Sequence, residues 1–245
     1  MKAIITTAKD LSANIFADHG WDVILYGDQA NESKHYDTIY FRDPFNDESI
    51  RPVAEEYVNN ALASFGWDKS IDGIQSFAQM RDLEDKYLQY QTYQDLMPHT
   101  YLPSTCSFEQ GKHLAKKRLS QRSKDIIFEL DSALNDDWII QDLMDIREEL
   151  RVYAIFGKVI PQATIKSSKH IDTKVKVVGE RELTADEIAL CTKIAQLSQL
   201  DFIGLDLAIL ENGDRKLIEV NRSPQFKRFT DIYGDAPLTD ILDFQ

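Results

Sequence analysis

Cysteine is almost missing from this chain. Cys106 and Cys191 are the only two. They lie far apart and outside any CxxC or metal-ligand spacing, which argues against a disulfide scaffold and for reduced core thiols in a cytoplasmic protein. The five histidines are scattered, and no pair has the spacing of a zinc site. No apolar run approaches the ~20 residues of a membrane span. The opening MKAIITTAKD has too short an apolar core for a signal peptide. Positive charge is also short, with 28 basic against 41 acidic residues and a formal net charge of −13. That balance argues against nonspecific nucleic-acid binding and against anionic membranes, although a local basic cluster can still hold a phosphate. Internal repeats, low-complexity segments and any Ser-His-Asp or Cys-His arrangement suited to nucleophilic catalysis are absent as well.

What remains is an ordinary globular composition, 43% hydrophobic and 28% charged over 245 residues. This is enough chain for one large domain or two or three small lobes. MKAIITT, Trp21 to Leu25 and Tyr36 to Phe41 read as strands, and Asp10 to His19 as a helix stopped by Gly20. Strands alternating with helices predict a small parallel α/β lobe. A helix is expected from Pro52 to Phe65, with Val53, Tyr57, Val58, Leu62 and Phe65 on its buried face. Another is expected from Asp85 to Met97, whose stripe of Tyr87, Tyr90 and Tyr93 is read as packing. Further on, His113–Lys117, Ile126–Leu130, Trp138–Leu143, a hairpin about Gly157 within Arg151–Ile160, and Gln162–Ser168 read as strands. Thr184 with Glu187 three residues on caps a helix to Leu197, and Pro237–Asp243 forms a short last helix.

The most informative stretch is DFIGLDLAILENGDRKLIEVNRSP, residues 201–224. Asn212-Gly213 suits a two-residue hairpin loop, which pairs Glu211 with Asp214 and sets Asp206 opposite Glu219. Alternation then puts Asn221 on the face of Glu219, with Ile218 and Val220 on the other. Two carboxylates facing each other across a ladder repel. Together with an amide oxygen, they form a ligand set for a hard cation such as Mg²⁺. A solvated acidic hairpin is the plain alternative, but Asp206 sits among Phe202, Ile203, Leu205, Leu207 and Ile209, and Glu219 between Ile218 and Val220. A slip of one residue would send Asp206 to the wrong face and remove the site.

With this motif in hand, the chain resembles the ATP-grasp superfamily over about residues 82 to 226. Within it, the resemblance is to carboxylate–amine ligases of the ribosomal-protein glutamyl ligase and D-alanine–D-alanine ligase type. The resemblance implies an α/β (α+β grasp) fold: a pre-ATP-grasp lobe over residues 1–80, a lid lobe over 81–142 and a carboxy-terminal grasp lobe over 143–245. It implies ATP and Mg²⁺, or Mn²⁺, as cofactors, with Asp206, Glu219 and Asn221 as metal ligands. Lys86, after Asp85, would touch ATP phosphates, and Lys116 (or its neighbour Lys117) the α-phosphate region. Gln141, Asp142 and Leu143 would form the linker whose backbone reads adenine, with Asp145 on the ribose. Arg151 and Lys166 would face the transferring phosphoryl group. Arg222 would contact an acyl phosphate or reach solvent.

One departure from the family pattern is the loop after Lys116. It reads RLSQRSKD over 118–125 and has no glycine to bring backbone N–H groups over the phosphates. Ser120, Arg122 and Ser123 are the side chains that can replace them. The resemblance implies an ADP-forming ligase that joins a small-molecule or peptide carboxylate to an amine through an acyl phosphate, with no nucleic-acid or membrane partner and a homodimer left open. A grasp-fold small-molecule kinase and a noncatalytic nucleotide-binding regulator are the alternatives. Arg42, Trp67 and the Lys227-Arg228 pair are candidates to line the substrate pocket.

Overall fold

The structure, a computed structural model, describes the chain apart from residues 29–33, 43, 46–47, 65, 121–124, 131–133, 167–176 and 245, and apart from the side chains of 61–66. Arg122 and Ser123 therefore lie outside the described residues, as do Phe65, Ser167 and Ser168. Three sheets follow one another along the chain. The first contains β1 (Lys2–Thr6), β2 (Trp21–Leu25), β3 (His35–Phe41) and β4 (Gly66–Ser70) in the order β2-β1-β3-β4. All of its pairs are parallel, with α1 (Ala13–Asp18) and α2 (Arg51–Ser64) as connections. Among the described side chains of α2, Ala54 and Val58 are buried, while Val53 is exposed. Val58 and Tyr57 lie on the core side as expected, Ala54 takes the place given to Val53, and Leu62 and Phe65 fall among the side chains not described.

Next come α3 (Phe77–Glu84), unforeseen in the sequence, and α4 (Lys86–Tyr93). Asp85 separates them by capping α4, accepting from the N–H groups of Tyr87 and Leu88 at 2.8 and 3.3 Å. Tyr93 is buried and Tyr90 packs against the same core. Tyr87 instead lies beneath the Arg118 guanidinium. A small antiparallel sheet then joins β5 (Thr100–Tyr101), β6 (His113–Lys117), β7 (Ile126–Ile127) and β8 (Trp138–Asp142) in the order β5-β8-β6-β7.

The largest sheet contains β9 (Ile146–Ile155), β10 (Lys158–Val159), β11 (Gln162–Lys166), β12 (Val177–Glu182), α5 (Ala185–Ser198) alongside, β13 (Phe202–Leu210) and β14 (Arg215–Asn221). Its order is β12-β11-β9-β13-β14, antiparallel throughout, with β10 folded back on β9. Leu150, Val152, Leu205, Leu207, Leu217 and Val220 fill one face against α4 and α5. The expected capping box of Thr184 and Glu187 starts α5. The chain ends in α6 (Lys227–Tyr233) and α7 (Thr239–Leu242), which return to the first lobe. There Phe226, Phe229, Leu238 and Ile241 share a core with Ile4, Phe16 and Trp21. Among the described residues no helix is long and apolar enough to cross a membrane.

Buried charge joins the first lobe to the large sheet. Arg42 is no pocket residue. It is fully buried, donating to Asp10 at 2.8 and 3.3 Å and to the Pro224 carbonyl at 2.9 Å. Burial alone would raise the Asp10 carboxyl, but the Arg42 charge and its hydrogen bonds outweigh that and hold it at about 2. Trp67 packs edge-on to Phe41, and Lys227 pairs with Asp231 on α6. Asp72, in the left-handed region at φ 63°, exchanges hydrogen bonds with Asp201 at 2.7 and 2.9 Å. Burial pushes its carboxyl up to about 7 against the opposing pull of Arg222.

A folded-state pKa above the unfolded one means that the folded chain holds the extra proton, so this contribution to stability is complete in acid and lost as pH rises through about 7. Between about pH 4 and 7, chemical denaturation of the wild type is expected to show a fall in stability that levels off above pH 7, at most about 1.4 kcal/mol per pH unit from this one group. Asp72→Asn should lack that component, and parallel pH profiles for the two proteins would refute the assignment.

Candidate active site

The charged face of the large sheet is built by ladder register. Lys166 pairs with Glu149, Asp206 with Arg151, and Asp206 again with Glu219. Because Glu149 and Arg151 are two apart on β9, these five side chains stand on one face. Asp206 and Glu219 are opposed as the sequence predicts, by a different route. Leu210 pairs with Asp214 around the three residues Glu211 to Gly213, with Gly213 at φ +87°, so the loop is one residue longer than expected. The register is offset by one up to Leu207↔Leu217, and a bulge that leaves Ile218 unpaired restores it at Asp206↔Glu219. Leu217, rather than Ile218, accompanies Val220 in the core.

Asp206 is buried and held by cations. Lys166 Nζ and Arg151 Nε each lie 2.6 Å from its Oδ1, and Arg151 Nη2 donates to Oδ2 at 3.1 Å. Burial would raise its carboxyl; Arg151 and Lys166 reverse the sign and hold it below the ordinary range. Lys166 also donates to Glu149 at 2.9 Å. Asn221 Nδ2 lies 3.4 Å from Asp206 Oδ2. Across the site, Lys86 Nζ stands 3.2 Å from Glu219 and donates to the Ser120 carbonyl. Lys116 donates to Gln141 Oε1 at 2.8 Å. Burial lowers its ammonium pKa, and the charge of Glu219 opposes the shift. Its neighbour Lys117 turns away to Glu48. Lys86, Lys116, Arg151 and Lys166 therefore surround Asp206, Glu219 and Glu149. Two opposed carboxylates with an amide alongside form an all-oxygen donor set on rigid strands, which fits a hard divalent ion.

Several sequence-predicted residues sit elsewhere or act differently. Arg222 neither reaches solvent nor shares the face of Asn221. It is fully buried, donates to the Phe41 carbonyl at 2.7 Å and lies 3.6 and 3.7 Å from Asp72 and Glu84. Strand alternation sends it to the first lobe. The Asp142 carboxylate faces His113 at 3.4 Å, and the N–H groups of Asp142 and Leu143 are engaged by the carbonyls of His99 and Lys112. Asp145 is exposed, with its carbonyl bound by Glu211 N. Glu149 is a third carboxylate on the site face, and sequence reasoning misses it because a strand begun at Arg151 stops two residues short of it. Carrying the strand back two residues would have found it.

The glycine-free loop is pinned where it is described. Arg118 binds Asp85 at 2.6 to 3.1 Å, Arg51 donates to the Leu119 carbonyl, and the Ser120 hydroxyl donates to the Lys117 carbonyl at 3.3 Å. Gly204 was also overlooked. A Cβ there would stand 2.6 Å from Pro224 Cβ and 2.9 Å from Arg151 Nη1, so only glycine lets the guanidinium pass to Asp206. Gly204→Ala is expected to lose about 1–3 kcal/mol in denaturant melts and to displace Arg151. Unchanged stability would show that Pro224 and Arg151 have room to move.

The family model for the RimK-like ATP-grasp domain matches residues 101–241. No curated protein sequence matches the chain closely enough to count as a relative. Among solved structures, D-cycloserine synthetase DcsG superposes with a TM-score of 0.69 at 15% identity, covering 98% of this chain and 99% of that one. The D-alanine–D-alanine ligase of Bacillus anthracis gives 0.62 at 14% identity over 99% and 96%. The ATP-grasp ligase PsnB, complexed with minimal precursor, Mg and ADP, gives 0.65 at 15% over 99% and 96%. These likenesses carry the fold, and the domain match, which spans more than half of the chain and includes the opposed carboxylates, carries the family: the chain belongs to the RimK-like ATP-grasp family.

Proposed function

We propose that this chain is an ATP-dependent, ADP-forming ligase that joins a carboxylate to an amine. The observation that carries the reading is the opposed pair Asp206 and Glu219 set among Lys86, Lys116, Arg151 and Lys166. Four cations against three carboxylates leave the site short of negative charge, which a triphosphate would supply. Asp206, Glu219 and Asn221 would hold Mg²⁺, which neutralises phosphate oxygens when bound.

In this reading residues 1–80 brace the site, 81–142 cover the nucleotide and 143–245 carry the charged sheet. Lys86 and Lys116 bind phosphate oxygens, and the pinned loop at 118–120 closes over them. Glu149, two residues from Arg151 on the same face, takes the ribose role first assigned to Asp145. Arg151 and Lys166 align the γ-phosphoryl group. A substrate carboxylate oxygen attacks the γ-phosphorus, the bond to the β-phosphate oxygen breaks, and ADP leaves. The amine then attacks the acyl-phosphate carbon, inorganic phosphate departs, and the ammonium proton passes to solvent. Alignment and charge neutralisation are what such a transfer requires of the protein, so no side-chain nucleophile is needed. Structures of related fold include a ligase complexed with a precursor peptide, a D-cycloserine synthetase and a D-alanine–D-alanine ligase, and in this reading the substrates fall in that range, a small-molecule or peptide carboxylate and an amine.

A coupled ADP-release screen with pooled amino acids, peptides and small acids tests this. ADP release that requires both an acid and an amine is expected, with a loss of at least about 100-fold in Glu219→Gln. A stable phosphorylated product formed without an amine would replace the ligase with a kinase. Nucleotide binding without turnover across the whole panel would replace it with a regulator.

A further inference from the structure

β14 carries Glu219 and Asn221, and it is the edge strand of the large sheet. Its ladder to β13 is interrupted by the bulge at Ile218, one residue before Glu219. An edge strand with a broken ladder is the least constrained place in a sheet to put two ligands of one ion. Its outer side is nevertheless held. The carboxamide of Gln89, on α4, is buried and meets the backbone of Val220 in both directions. Nε2 donates to the Val220 carbonyl at 2.8 Å, and Oε1 accepts from the Val220 N–H at 3.0 Å. The same Nε2 donates to the Leu83 carbonyl at 2.9 Å, which fixes its orientation. Three residues further back along β14, Leu217 N donates to the Leu96 carbonyl. A side-chain amide thus serves Val220 as a neighbouring strand would, at the residue between the two ligands.

One turn earlier on α4 stands Lys86, 3.2 Å from Glu219. Residues three apart on a helix share a face, so α4 delivers a phosphate-binding cation and a backbone clamp as one rigid unit. The geometry points to Gln89 as a positioning residue. Through Val220, it fixes the separation of Glu219 and Asn221 and their distance from Lys86, and so sets the divalent-ion requirement of nucleotide binding. This rests on the nucleotide reading above. A role in packing alone would lower stability and leave the ion requirement untouched.

Calorimetric titration of a nonhydrolysable ATP analogue at stepped Mg²⁺ concentrations separates the two roles. Gln89→Leu is expected to raise the Mg²⁺ concentration for half-maximal nucleotide binding by about 10- to 100-fold and to speed amide exchange at Val220 without any nucleotide. Gln89→Met, unbranched and of similar length, takes its place if Gln89→Leu does not fold. Ile194→Val, buried on α5 in the core beneath the sheet, is the control that lowers stability and keeps the ion requirement of the wild type. If the Gln89 variants behave as Ile194→Val does, the positioning role is wrong and the nucleotide reading stands. If the wild type binds no analogue at any Mg²⁺ concentration, both are wrong.

Discussion

Two carboxylates pressed together across one rung of a sheet make a charge that the protein cannot leave alone. Asp206 and Glu219 occupy that rung, and cations from three other elements stand against them. Arg151 is the rung partner of Asp206 on the next strand, and Lys166 stands beside it. Lys86 approaches Glu219 from a helix that belongs to a different part of the chain. Burying a carboxylate normally drives it toward its neutral form; here the cations win and Asp206 stays ionised. The pairs are buried, so salt screens them little. The cations that satisfy the carboxylates in this structure are also those proposed above to take phosphate oxygens, so nucleotide binding in that reading is an exchange of ionic partners.

The frame around that face is held by a second layer of buried charge. Arg42 and Asp10 form a fully buried pair that also binds the Pro224 carbonyl, and Tyr40 binds the Arg222 carbonyl at 2.8 Å. The segment after β14 is thereby fastened to the first lobe within three residues of Asn221. Arg222 extends the same junction through Phe41, Asp72 and Glu84. Removing one partner of such a pair strands the other charge in a low-dielectric interior, a far larger loss than any surface ion pair represents. The first lobe is accordingly part of the site's support, and the last helices share its core.

Local rules carried the sequence reading a long way. Alternation and the Asn-Gly turn brought Asp206 opposite Glu219, capping chemistry located α5, amphipathic patterning located α4, and β6 matches its expected span. The same rules misjudged the details that depend on neighbours. The turn is longer by one residue and the bulge compensates, a pair of offsets that leaves no mark on hydrophobic alternation. Arg222 and Arg42 read as functional cations because long charged side chains are seldom fully buried; their partners are far off in sequence. Glu149 escaped notice because a strand's first residues look like a loop when they are polar.

What the sequence determined by itself was the kind of fold, many of its elements and the opposed carboxylates of the last hairpin, since periodicity, capping and turn preference act within a few residues. Only the tertiary structure decided which of the charged side chains meet. Glu149 and Lys166, Lys86 and Glu219, and Gln89 and Val220 are separated by 17, 133 and 131 positions along the chain. No local propensity spans such distances. Register between strands and the docking of α4 on an edge strand set those contacts, because burial and hydrogen bonding there are satisfied only when distant segments arrive together.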